Sequence, residues 1–129
     1  MKILILFIML FLHLVDDYYL QGILASMKQK KWWEEQTIDP KYKNDYKIAL
    51  AEHAFSWTFM IMLPAMVSIF YNKSYYESTM VYTFCFILNC IIHGIVDDLK
   101  ANKLKINLVQ DQLIHIVQVI VTWFLIFIL

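Results

Sequence analysis

The chain has 129 residues, 60% of them hydrophobic and 17% charged, with a mean hydropathy of +0.55. A water-soluble domain carries about a quarter charged residues and just under half apolar ones, so the excess argues against an ordinary soluble domain and for a bilayer as solvent. The formal net charge is zero, which offers nucleic acid no general attraction, and all eleven basic residues are lysines, which leaves no arginine fork for a phosphate.

The first predicted element is an apolar helix over residues 2–20. It begins like a secretory leader, with Ala25-Ser26 as a small-residue cleavage site. His13, Asp16 and Asp17 stand between that site and the apolar run, which argues against removal. A polar segment follows over residues 22–47. Its Trp32-Trp33 pair beside Lys28, Lys30 and Lys31 suits a stretch lying on a membrane interface. A second span over 48–71 contains Pro64, which is expected to kink it. A short turn leads to a third span over 78–97, a second polar connection covers 98–105, and a fourth span runs over 106–129. Each span is near the ~20 residues that cross a hydrocarbon core, and lipid obliges each backbone to be helical. The expected fold is all-α: one polytopic domain over 1–129, with four transmembrane helices in an antiparallel bundle.

Nine lysines fall in the first and third connections, against Lys2 and Lys73 on the other side. The positive-inside rule then places those connections in the cytoplasm and both termini outside, with Tyr71, Tyr75 and Tyr76 as the outer aromatic belt. Cys85 and Cys90 are five apart on one helix, point to different sides, and read as thiols without a mutual disulfide.

Each span carries one histidine, and three of these have a carboxylate one turn away: His13 with Asp17, His93 with Asp97, and His115 with Asp111. Residues four apart share a helix face. The faces extend to polar seams of His13, Asp17 and Gln21, of His93, Asp97 and Lys100, and of Asp111, His115 and Gln118. Polar seams are where membrane helices meet one another. At ~1.5 Å per residue from the outer end, His13, His93 and His115 lie ~18, ~22 and ~21 Å deep and share one level, while His53 at ~27 Å lies about a turn nearer the cytoplasmic water.

An ionisable group near mid-membrane costs ~3 kcal/mol on insertion scales. A metal supplies compensation, and imidazole with carboxylate but no thiolate suits zinc, manganese or iron. His13, Asp17, His53, His93, Asp97, Asp111 and His115 form the candidate ligand set, enough for one or two divalent ions with a position left for water. A bound water acidified in this way becomes the nucleophile of a hydrolysis. Asp17, Asp97, Asp111 or Glu52 would act as the acid and base. Gln21, Lys28, Lys100 and Gln112 would hold an anionic substrate.

The plainer readings stand beside these. A lone membrane histidine is more often a structural donor than a ligand, and the His/Asp pairs would then serve packing. Asp16 and Asp98 read as solvated carboxylates, and Lys28 and Lys100 as ordinary positive-inside residues. Glu52 is a ligand, a proton shuttle or an interfacial charge.

The series His13-x3-Asp17-Tyr18-x-Leu20-Gln21, Lys28, His53, His93-x3-Asp97-x2-Lys100 and Asp111-Gln112-x2-His115 resembles the small bacterial and phage membrane proteins of domain-of-unknown-function family 3307, over nearly the whole chain. The resemblance implies a bacterial inner-membrane location and imports no activity. More remotely, the His-x3-Asp at a helix end is similar to membrane-bound metal-dependent hydrolases.

The leading expectation is a metal-dependent hydrolase of a lipid-linked ester or phosphoester at the cytoplasmic face, with membrane lipid as its partner. A homodimer is compatible with four spans in so short a chain. The rival expectations are a metal-ion or proton conductor, opposed by the apolar outer halves of the spans, and a non-catalytic, holin-like phage membrane protein.

Overall fold

A computed structural model describes residues 2–72 and 76–128. Lys73, Tyr75 and the side chain of Tyr76, read above as outer-side residues, lie outside the described residues. Six α-helices account for most of the described chain: α1 Lys2–Val15, α2 Leu24–Met27, α3 Lys30–Gln36, α4 Asp45–Asn72, α5 Tyr76–Ala101 and α6 Leu108–Phe127. A π-helical turn, Asp16–Leu20, prolongs α1, and a 3-10 turn covers Pro40–Tyr42. No strand occurs among the described residues.

Four of these stretches are long and apolar enough to cross a membrane, at Lys2–Leu20, Pro40–Tyr71, Thr79–Ala101 and Leu108–Phe127. The spans expected at 48–71, 78–97 and 106–129 shift at their ends for local reasons. Asp45 opens α4 earlier, and α5 continues past Asp97 to Ala101. The fourth helix starts at Leu108 because Asn107 caps it. Its side-chain oxygen accepts from Gln110 N at 3.0 Å, and the Gln110 amide oxygen accepts from Asn107 N at 3.0 Å. Pro64 lies inside α4, which runs on through it.

The 22–47 segment is folded into short helices. Gly22 ends the π-helical turn with φ +50°, a left-handed conformation that glycine adopts without the strain a Cβ would bring. The Trp33 indole donates to Met27 O at 2.7 Å and ties α3 back to α2. Asn102, just past α5, clamps the α2–α3 junction from both sides: its amide nitrogen donates to Lys28 O at 3.1 Å and its oxygen accepts from Lys30 N at 2.7 Å. Lys28 is thereby turned inward and buried, unlike an ordinary flanking lysine. Neighbouring Lys103 stays exposed, and the Asp98 carboxylate 2.8 Å away holds its ammonium above the usual lysine value.

In the packing, α4 lies against α1 and α5, and α6 against α5 and α1. Lys2 donates to Phe127 O at 2.6 Å and the Trp123 indole donates to Lys2 O at 2.8 Å, so the two ends of the chain meet. Near that end the interior is apolar: Ile5, Met9, Ile61, Met62, Cys85 and Val119 are buried, with Leu6, Leu10 and Trp123 packed on them. Farther along the helices the interior turns polar, while the exterior stays apolar at Phe7, Phe11, Ile91, Leu113 and Val117. Apolar outside and ionisable inside is the pattern that a lipid surround selects. Cys85 and Cys90 are free thiols.

Candidate metal centre

The π-helical turn decides the first wall of the site. On a regular helix successive residues point about 100° apart, so Asp16 and Asp17 are expected to part company. The wider turn lets both face inward. Asp16 is 1% exposed and accepts from the Ser56 hydroxyl at 2.7 Å, which corrects the reading of Asp16 as a solvated carboxylate. π-Helical turns recur at functional sites for this kind of register shift.

Six of the seven expected ligands are fully buried or nearly so on four helices: His13 from α1, His53 from α4, His93 and Asp97 from α5, and Asp111 and His115 from α6. Asp17 of the π-helical turn joins them. The imidazoles converge, with ring centroids 5.0 Å apart for His53 and His93, 4.1 Å for His93 and His115, and 6.0 Å for His13 and His115. His53 Nε2 stands 3.3 Å from Asp17 Oδ1 and 3.4 Å from Asp97 Oδ2. His115 Nε2 stands 3.4 Å from Asp111 Oδ1 and 3.5 Å from Asp97 Oδ1.

These separations are informative because they are long for hydrogen bonds. His53 Nε2, both nitrogens of His93, His115 Nε2 and Asp111 Oδ1 are buried with no hydrogen-bond partner. Leaving such groups unsatisfied costs about 1–3 kcal/mol each. Two ligand atoms that are each about 2.1 Å from one tetrahedral ion stand about 3.4 Å apart. The 3.3–3.5 Å spacings therefore fit donors arranged around a cation, and three sets of potential ligand atoms each gather within 4.8 Å of one another: Asp17/His53/His93, His93/Asp97/His115 and Asp17/Asp111/His115.

Partners behind the rings sort the histidines. A ligating histidine commonly turns its second nitrogen to a carboxylate or carbonyl oxygen. His53 Nδ1 faces Asp16 Oδ2 at 3.7 Å, and His115 Nδ1 faces the Gln118 amide oxygen at 3.4 Å, so both keep Nε2 bare toward the aspartates. His13 is arranged the other way. The Trp57 indole, which can only donate, gives its hydrogen to His13 Nδ1 at 2.9 Å, so the neutral ring carries its proton on Nε2. His13 belongs to none of the three ligand sets. It presents an N–H to the cluster.

Trp57 itself is 0% exposed and stacks on His93 with centroids 4.1 Å apart. Nothing in the sequence pattern singled it out. The same holds for Asn89 and Thr122, which extend the His115 seam beyond Gln118: Gln118 Nε2 donates to Asn89 Oδ1 at 2.9 Å, and Asn89 Nδ2 donates to Thr122 Oγ1 at 2.7 Å. Replacing Asn89 by leucine leaves Gln118 and Thr122 without these partners. The expected result is a loss of about 1–3 kcal/mol in unfolding free energy, read as a lower melting temperature in detergent.

Above the cluster lies a cleft of about 400 Å³ with Asp17 and Asp97 at its floor and Gln21, Lys28, Lys100 and Gln112 along its walls. Lys28 Nζ is 2.6 Å from Asp97 Oδ2, and Lys100 Nζ is 2.8 Å from Asp111 Oδ2. The Gln112 amide donates to Asp17 Oδ2 at 2.7 Å and the Gln21 amide to Asp17 Oδ1 at 3.2 Å, so both glutamines hold a carboxylate. Tyr18, Leu104 and Leu108 form an exposed apolar mouth. Leu104 takes a left-handed φ of 52°, a conformation that costs about 1–2 kcal/mol for an L-residue. Glu52 is exposed on α4 and lies outside both cluster and cleft.

An all-helical chain with four membrane-length helices and a buried His/Asp cluster able to hold a metal ion is the class these features define. No family model matches the chain, and neither does any curated protein or solved structure.

Proposed function

We propose that this protein is a metal-dependent hydrolase of the bacterial inner membrane that cleaves a lipid-linked ester or phosphoester. In this reading the four long helices cross the bilayer as an antiparallel bundle, both termini lie outside, and the cleft opens at the cytoplasmic side. Family 3307 is the family we propose for it, on the motifs alone. The single supporting observation is the juxtaposition of the His/Asp cluster with a cleft that is cationic along its wall and apolar at its mouth. Lys28 and Lys100 suit an anionic head, and Tyr18, Leu104 and Leu108 suit the start of an acyl or prenyl chain.

A divalent ion held by the cluster would acidify a water toward neutrality. An aspartate oxygen not engaged by the ion takes the water's proton. The water oxygen would bond to the phosphorus or carbonyl carbon as the bond to the lipid alcohol breaks, and the departing alkoxide would take the proton that the aspartate had accepted. The His13 Nε2–H is placed to donate to an oxygen on which charge develops. Glu52 has no part in this scheme.

One observation favours the conductor: the Gln118–Asn89–Thr122 thread carries polarity beyond the cluster. It runs into the apolar packing of Ile5, Met9, Ile61 and Met62, which supports the enzyme. The test is to incubate purified protein with mixed-lipid vesicles and follow product release by mass spectrometry. Release is expected with divalent metal, absent after chelation, and absent in His93→Ala. Metal-loaded protein that releases no product from any lipid class, yet carries protons or metal into vesicles, would overturn the hydrolase in favour of the conductor.

A further inference from the structure

We propose that the cluster is a two-ion centre with Asp97 as the bridge between the ions. The proposal deepens the reading above and depends on its metal centre, but not on the reaction. One ion sits among Asp17, His53 and His93, whose ligand atoms all lie within 4.8 Å of one another. The other sits at His115 and Asp111, whose Nε2 and Oδ1 are 3.4 Å apart.

The case for two rests on where His53 and His115 stand. Both aim a buried, bare Nε2 inward, yet among the described residues no set of mutually close ligand atoms contains both. A single ion would satisfy one and leave the other orphaned. Asp97 reaches both poles with different atoms: Oδ2 is 3.4 Å from His53 Nε2, and Oδ1 is 3.5 Å from His115 Nε2. A carboxylate used through both oxygens bridges ions about 3.5–4 Å apart, the usual spacing of two-metal hydrolytic sites. Two such ions hold the attacking and leaving oxygens of one displacement together, which suits a phosphoester better than a plain ester.

Charge supports the same arrangement. Asp16, Asp17, Asp97 and Asp111 are at most lightly exposed, and among the described residues only two ammoniums, of Lys28 and Lys100, pair with them. Two divalent ions turn this anionic interior cationic and match it to a phosphate. Lys100 engages Asp111 through Oδ2, which leaves Oδ1 facing His115. Lys28 shares Asp97 Oδ2 with the first ion, so that ion and the ammonium compete.

The experiment is titration of chelator-stripped protein with manganese, read by elemental analysis and electron paramagnetic resonance. About two equivalents per chain with a spin-coupled spectrum are expected. His53→Ala and His115→Ala should each fall to about one uncoupled equivalent, whereas His13→Ala should keep both. Asp97→Asn, the conservative variant that guards against misfolding, should lose the coupled signal. One equivalent in the parent protein, or two without coupling, overturns the bridge and leaves the hydrolase standing. No bound manganese, zinc or iron overturns both.

Discussion

Lys28→Met, prepared free of divalent metal, should unfold about 3–5 kcal/mol more easily than the parent protein, and added manganese or zinc should recover most of that loss. The first half follows from the geometry of the pair. Lys28 Nζ lies 2.6 Å from Asp97 Oδ2, with side-chain exposures of 10% and 2%. Removing one member of a buried pair leaves the other charge uncompensated, and the desolvation already suffered by Asp97 is no longer offset. The second half follows from competition for one oxygen. A cation bound beside His53 supplies Asp97 Oδ2 with the charge that methionine lacks. Melting curves in detergent, with and without metal, read both halves. A variant that is destabilised and indifferent to metal would mean that the cluster is held by lysine alone, as packing.

The second large effect is expected at Trp57. Trp57→Ala should cost about 3–5 kcal/mol and weaken metal binding together with stability, because one side chain fills the core and sets the rings. Trp57 is the largest fully buried side chain; it stacks on His93 and hydrogen-bonds His13. Trp57→Phe separates the two roles. It keeps most of the volume and an aromatic face for stacking, and removes the indole N–H with the rest of its five-membered ring. The loss should shrink to about 1–3 kcal/mol, with the His13 proton freed to move to Nδ1. Nitrogen-15 spectra of labelled histidine report that move directly.

Much of the interior was legible in the sequence because it obeys helix periodicity. The four-residue spacings of His93 to Asp97 and of Asp111 to His115 put each pair on one face, and the alternation of early and late histidines put His13, His93 and His115 at one depth with His53 about a turn away. The structure buries these residues together. Asp16 could not be read this way, because adjacent aspartates face one side only where the helix widens into the π-helical turn. Lys28 was legible as a charge but not as a partner of Asp97, since the pair is 69 residues apart and depends on the Asn102 clamp. Trp57, Asn89 and Thr122 occupy helix faces that look unexceptional alone. Their roles come from neighbouring helices. Glu52 shows the opposite limit: it adjoins His53 in sequence, and α4 turns it outward.

The widened turn at Asp16–Leu20 also sets what kind of change the site tolerates. Its geometry accommodates more chain per revolution than a regular helix, so its inward pair of acids depends on how many residues the segment contains. Losing one residue there would let the coil tighten to ordinary pitch and swing one acid away from His53 or His115. Conservative replacements along the same stretch would leave the winding intact. Residue count, more than residue identity, is what that part of the molecule guards.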